Sequence, residues 1–156
     1  MEQKTEKIKG EISEIKHFPV NMKSLKKSVL FVCTYNSARS PMAEGILKNL
    51  YGDRYESFSA GLYLGETDKR AVAVLAESGI DIKEHKPQTL GMVSDKKFDY
   101  IVFLCENAHM SAHYLPESKQ TVIHYVNVPA GFGDDGLSGF RMLRESLSDW
   151  INIYFS

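Results

Sequence analysis

The sequence predicts a three-layer α/β sandwich around a four-stranded parallel sheet with strand order 2-1-3-4. Three observations predict it. Short apolar runs alternate with amphipathic segments from residue 28 to the end of the chain. Two of the runs, Val29–Val32 and Tyr100–Leu104, are continuously apolar, as suits central parallel strands covered on both faces. Each is followed at once by a cysteine, Cys33 and Cys105. In doubly wound sheets, sites form beyond the carboxyl ends of the strands, at the point where the strand order reverses.

The elements follow in order. Strand one is Val29–Val32, and a polar loop carries the chain into helix one, about Pro41 to Tyr51. Ser40 is expected as its N-cap and Pro41 as its first residue, because those types favour those positions. Ala43, Ile46, Leu47 and Leu50 form its apolar face. Strand two lies near Tyr55–Ser59. Helix two covers Asp68–Ser78 with Ala71, Val72, Leu75 and Ala76 inward, and Gly79 is its C-terminal stop. Strand three is Tyr100–Leu104, a short helix follows near Ala108–Leu115, and strand four is about Thr121–Val126. The last helix carries Phe140, Leu143, Leu147, Trp150, Ile151 and Tyr154 on one stripe. Strands one and three are neighbours in this order, ~4.8 Å apart, so Cys33 and Cys105 are expected side by side at one rim.

The loop between strand one and helix one carries the chemistry. It reads Cys33-Thr34-Tyr35-Asn36-Ser37-Ala38-Arg39-Ser40. A loop entering a helix N-terminus aims several N–H groups at one point, where the helix dipole favours negative charge. That is a cradle for a tetrahedral oxyanion. A cysteine placed there is favoured as the thiolate nucleophile. Arg39 can grip two oxyanion oxygens at once.

Composition narrows the function class. The chain has 156 residues, enough for one domain with a substantial core. Residues 28–156 are expected to form it, with 1–27 as a Lys- and Glu-rich N-terminal extension. In that extension Ile8, Ile12 and Ile15 fall at helical spacing, up to Pro19. The net charge of −1 gives no global attraction to nucleic acid or anionic membrane, so neither is expected as a partner. No apolar run approaches the ~20 residues of a membrane span. Two cysteines make no disulfide framework, and a nucleophilic cysteine needs a reducing compartment, so the cytoplasm is expected.

These residues resemble the low-molecular-weight protein tyrosine phosphatase superfamily, which includes thioredoxin-coupled arsenate reductases of the same phosphotyrosine phosphatase I-like fold. The likeness covers about residues 28–155. Its marks are VLFVCTYNSARSPMAEG, SFSAGL at 57–62, ESGIDI at 77–82 and FDYIVFLCENA at 98–108. The resemblance implies Cys33 as nucleophile, Arg39 as oxyanion clamp, Asn36 as the residue that holds the loop's shape, and Ser40 as hydroxyl donor to Cys33. Thr34, Ser37 and Cys105 are similar to the arsenate reductases, whose second redox cysteine lies at the Cys105 position. Pro41 is phosphatase-like. Ala112 stands where many reductases have a third cysteine, Ala38 replaces a loop cysteine common to both branches, and Tyr35 replaces a usual Gly.

One departure concerns the general acid. Both branches use an Asp, usually before Pro. The segment Val128-Pro129-Ala130-Gly131-Phe132-Gly133 resembles that region, with Ala130 at the Asp position. Asp134 and Asp135 follow and are candidate substitutes, though Gly-Asp-Asp-Gly also reads as a solvated turn. A positioned acid is worth ~10²–10⁴-fold to phosphomonoester cleavage.

Three readings follow. The first is arsenate reduction through a Cys33–Cys105 disulfide, which implies an external thiol reductant: thioredoxin, glutaredoxin or a small thiol. The second is phosphomonoester hydrolysis through a cysteinyl-phosphate. The third, motivated by Ala130, is an impaired module that binds oxyanions or phosphoproteins. None requires a cofactor or metal. Cys105, His109 and His113 recur every four residues, but no fourth ligand is evident for zinc. His85, Gly61 and Gly65 read as loop and turn residues.

Overall fold

The computed structural model describes residues 25–112, 114–127 and 136–156. Four strands, β1 (Lys27–Cys33), β2 (Tyr55–Gly61), β3 (Lys97–Phe103) and β4 (Glu117–Ile123), pair in parallel in the order β2-β1-β3-β4. Among the described residues the helices are α1 (Arg39–Tyr51), α2 (Lys69–Glu77), α3 (Glu106–Ser111) and α4 (Ser138–Phe155), and a 3₁₀ turn spans Leu90–Val93. The expected architecture and strand order are both present.

β1 is central and apolar on both faces, and its alternation of side chains sets the two outer layers. Val29 and Phe31 face a core with Met42, Ile46 and Leu47 of α1, Leu75 of α2 and Phe140, Leu143, Leu147 and Ile151 of α4. Leu30 and Val32 face a smaller core with Leu90, Val93, Phe98 and Ala108. Phe31, Leu30, Met42 and Leu47 are completely buried, each contributing about 1.5–3 kcal/mol relative to exposure. The two layers are unequal: three helices cover one face, and a 3₁₀ turn with the short α3 covers the other.

Several boundaries differ from expectation. β3 starts at Lys97, because its parallel pairing with β4 begins at Lys97 and Glu117, before the apolar run; beside it the Ser28 N–H donates to Asp99 Oδ2 (2.7 Å) and the Asp99 N–H to Ser28 Oγ (3.0 Å). β4 spans Glu117–Ile123 and buries little, as an edge strand permits. Leu50 is exposed, since the buried stripe of α1 runs through Met42, Ala43, Ile46 and Leu47. In α2 the inward residues are Ala71, Val74 and Leu75, with Ala76 outward.

Gly79 does end α2. Its φ of +75° is the left-handed conformation. Its N–H reaches the Ala76 carbonyl and the Ile80 N–H reaches that of Leu75, the paired closure of a Schellman end.

α2 is tied to α4 by charge. Glu77 accepts from Arg141 (2.8 Å) and Arg144 (2.9 Å), and these bonds, led by Arg141, hold its carboxyl at about 2 against an ordinary 4.5. A carboxyl depressed on folding stabilises the fold above the unfolded value and loses that contribution as pH falls through the folded one. Wild type should therefore lose melting temperature between pH 4.5 and about 2. Glu77→Gln should melt lower than wild type at pH 6 but lose less over that acid range. Thermal melts at matched ionic strength test this; parallel pH curves would refute it.

Candidate active site

The polar loop of residues 34–38 joins β1 to α1, and a neighbouring segment dictates how its backbone is oriented. Leu62 N–H donates to the Cys33 carbonyl (3.2 Å), Tyr63 to Thr34 (2.9 Å), Gly65 to Tyr35 (3.1 Å) and Asp68 to Ser37 (2.7 Å). The chain after β2 thus binds the loop's carbonyls. Among the described residues, no acceptor faces the N–H groups of Thr34 through Arg39. A run of unpaired N–H groups on a turn at a helix N-terminus is an anion-binding concavity.

Asn36 sets the curvature. Its φ of +54° is left-handed, a conformation Asn tolerates better than most residues. The side chain is fully buried and bonded at both its nitrogen and its oxygen. Its Nδ2 donates to Ser40 Oγ (2.9 Å), while its Oδ1 accepts from Gln88 N–H (2.9 Å) and faces His85 Nε2 at 3.1 Å. Ser40 Oγ in turn lies 2.9 Å from Cys33 Sγ. Cys33 therefore sits at the end of a chain of hydrogen bonds that begins at His85 and Gln88.

Ser40 is a correction to the sequence reading. It is inside α1, not its N-cap: Ala38 holds the cap position with no side-chain cap bond. The hydroxyl is spent on Cys33 and Asn36 instead. Arg39 also starts the helix, and its Nη1 donates to the Val126 carbonyl (3.1 Å) while Nη2 is 3.5 Å from Thr34 Oγ1.

Cys105 sits at the same rim. It caps α3, with its thiol accepting from Ala108 N–H (3.4 Å), which starts that helix at Glu106, before the expected Ala108. Its Sγ is 3.2 Å from Thr34 Oγ1. Leu104 N–H donates to the Val32 carbonyl, so the ends of β1 and β3 are bonded side by side. Both cysteines are free and buried, Cys33 to 2% and Cys105 to 6% exposure.

Three residues read from sequence as ordinary loop positions belong to the site. His85 contacts Asn36 and lies 4.0 Å from Glu44 Oε2; burial lowers its pKa below the ordinary 6.5. Glu44 is itself shifted upward by burial and accepts from Ser59 Oγ (2.7 Å). Gly61 and Gly65 permit close approach. A Cβ on Gly61 would lie 2.6 Å from the Asn36 nitrogen, and one on Gly65 2.9 Å from the Tyr35 carbonyl oxygen. Gly61 lies in SFSAGL, one of the stretches that carry the family resemblance, whereas no sequence signal singled out His85 or Gly65. Tyr35 is half exposed and leans on Tyr63, ring centroids 5.9 Å apart.

The description of low molecular weight phosphotyrosine protein phosphatase matches residues 28–130. The chain belongs to that family. It is 33% identical over 132 residues to an arsenate reductase of Halalkalibacterium halodurans, covering 83% of this chain and 95% of that one. Among solved structures, a low molecular weight protein tyrosine phosphatase from T. tengcongensis superimposes with a TM-score of 0.69 at 30% identity, over 81% of this chain and 96% of that one. An arsenate reductase in its oxidized state superimposes with a TM-score of 0.71 at 26% identity, over 81% and 95%. Both kinds of relative are enzymes.

Some expectations fall outside the described residues: Ala130, Asp134, Asp135, His113 and residues 1–24. Among the described residues no group of three or more His, Cys, Asp or Glu side chains is arranged to hold a metal. None of their helices is long and apolar enough to cross a membrane.

The contacts at Gly61 predict a sharp substitution effect. Gly61→Ala would press on backbone atoms of three loop residues, which cannot yield without deforming the cradle. Overpacking of that kind costs about 1–3 kcal/mol. Phosphate affinity should fall at least tenfold, whereas Gly91→Ala, whose nearest neighbour is a side-chain oxygen at 3.7 Å, should leave it unchanged. Equal affinities in the two variants would refute the role of Gly61.

Proposed function

We propose that this enzyme reduces arsenate to arsenite, with Cys33 as nucleophile and Cys105 as the second redox cysteine. The observation that carries the reading is the buried Cys105 thiol beside Thr34, the residue next to Cys33. The name of the Halalkalibacterium halodurans relative supports it.

In this reading the N–H groups of residues 34–39 and the guanidinium of Arg39 hold the arsenate. Cys33 displaces one oxygen, which leaves as water, and forms a sulfur–arsenic(V) bond. Cys105 then attacks Cys33. The sulfur–sulfur bond forms, the electron pair of the sulfur–arsenic bond passes to arsenic, and arsenite departs. Ser40 and Asn36 orient the Cys33 sulfur throughout. With Ala112 at the third-cysteine position, an external thiol reductant must reopen the disulfide: thioredoxin, glutaredoxin or a small thiol. Asp134 and Asp135 remain the candidates for protonating the departing oxygen.

A second reading, phosphomonoester hydrolysis, is favoured by one observation. Tyr35 on the loop and Tyr63 on the segment after β2 form an exposed aromatic pair, suited to flank an aryl group. Here water would resolve a cysteinyl-phosphate, and Cys105 would be dispensable.

Arsenate reduction and aryl phosphate hydrolysis, assayed together on wild type and Cys105→Ser, separate the two. Cys105→Ser should reduce arsenate at least a hundredfold more slowly with a thioredoxin-type reductant while retaining aryl phosphate hydrolysis. Mass spectrometry of wild type after arsenate without reductant should find one intramolecular Cys33–Cys105 bond. Undiminished arsenate turnover by Cys105→Ser would overturn the two-cysteine mechanism.

A further inference from the structure

We propose that Tyr125 and His109 form a proton relay for Cys105, taking its proton when it attacks and returning one when the disulfide is reopened. The proposal rests on the reductase reading and concerns its second step. That step needs a proton acceptor: Cys105 enters buried, and only its thiolate attacks sulfur.

The geometry places a hydrogen-bonded acid–base pair at this cysteine. Cys105 caps α3, and His109 lies one turn later, with its N–H on the Cys105 carbonyl (3.3 Å). The His109 ring packs 4.9 Å from that of Phe103, and its Nδ1 is 2.6 Å from Tyr125 Oη.

Tyr125 is held in place by its neighbours. His124 N–H donates to the Phe103 carbonyl (2.9 Å) and Val126 N–H to that of Leu104 (2.8 Å), so residue 125 is fixed beside the end of β3, where Cys105 begins α3. Val126 is also the residue whose carbonyl holds Arg39. Partial burial raises the Tyr125 hydroxyl above its ordinary 10, and the charges of Glu106 and Cys105 add to that. With His109 as the tautomer protonated on Nε2, the Tyr125 hydroxyl donates to Nδ1 and its oxygen is left to accept a proton.

The proton movement balances. As Cys105 attacks Cys33, its proton passes through water to Tyr125 Oη, and the Tyr125 proton passes to His109 Nδ1. Sulfur–sulfur bond formation and reduction of arsenic(V) to arsenic(III) are unchanged. When an external thiol attacks the disulfide, Cys105 leaves as thiolate and regains the proton by the reverse path. The groups around the pair are Cys105 and Glu106 of α3 on one side and Arg39 of α1, through Val126, on the other.

The test is a single turnover. Wild type, Tyr125→Phe and His109→Ala, each fully reduced, are mixed with arsenate, quenched with an alkylating agent over time, and scored by mass for the Cys33–Cys105 bond. Circular dichroism and melting temperature establish that each variant is folded. Both variants should form the bond at least tenfold more slowly than wild type at pH 6.5, and the deficit should shrink toward pH 9, where thiols ionise unaided. Free imidazole should partly restore His109→Ala and leave Tyr125→Phe slow. If wild type forms no such bond, the reductase reading fails. If wild type forms it and folded variants match its rate and pH profile, or are slowed equally at every pH without imidazole rescue, the relay is wrong.

Discussion

The site depends on one interaction above others: the four hydrogen bonds by which residues 62–68 bind the carbonyl oxygens of the loop after β1. A peptide group points its carbonyl and its N–H in opposite directions. Binding the carbonyls from outside therefore presents the N–H groups inward. An anion cradle made of backbone alone is otherwise unstable, because unpaired N–H groups in a buried turn seek other acceptors. Gly61 and Gly65 allow the binding segment to come close enough, and any side chain there would occupy the loop's own backbone atoms.

That backbone arrangement explains why so many side chains near Cys33 make buried polar contacts. Asn36 must take a left-handed conformation to turn the loop, and a buried Asn with unsatisfied groups would be costly. Gln88, His85 and Ser40 satisfy it. Gln88 also bonds the Ser59 carbonyl with its side chain and the Gly61 N–H with its own carbonyl. The same network orients Ser40 against Cys33. The shape of the loop and the placement of the Cys33 thiol are thus one structural problem with one solution.

The second cysteine obeys a different constraint. Cys105 ends the connection from β3 and begins α3, and its thiol serves as the helix cap. In a parallel sheet the carboxyl ends of neighbouring strands lie at one rim, so β1 and β3 deliver two thiols to the same place without any long-range side-chain contact being needed. Thr34 bridges the two sites, touching Cys105 with its hydroxyl and lying within reach of Arg39. The unequal layers of the fold matter here too. The face covered only by α3 and a 3₁₀ turn is the face that holds Cys105.

Local pattern predicted the sheet and its strand order and singled out Cys33, Arg39 and Cys105 as candidates, through continuous apolar runs, helical spacing, and a polar loop of eight residues between strand and helix. The part of Asn36 was implied only by the family resemblance. Helix boundaries were less legible, because capping by Cys105 and the diversion of Ser40 from the cap to the thiol depend on what lies across the rim. The roles of His85, Gln88, Gly61 and Gly65 were decided only by the tertiary structure. They lie 25 to 52 residues from Asn36 along the chain. Although Gly61 lies in the SFSAGL stretch, its contact is not legible there, since a glycine required for close approach and a glycine in a turn look alike until the approaching chain is known. Parallel pairing of β1 with β2 brings that chain in, and the physics of the loop's backbone then assigns each of them its contact.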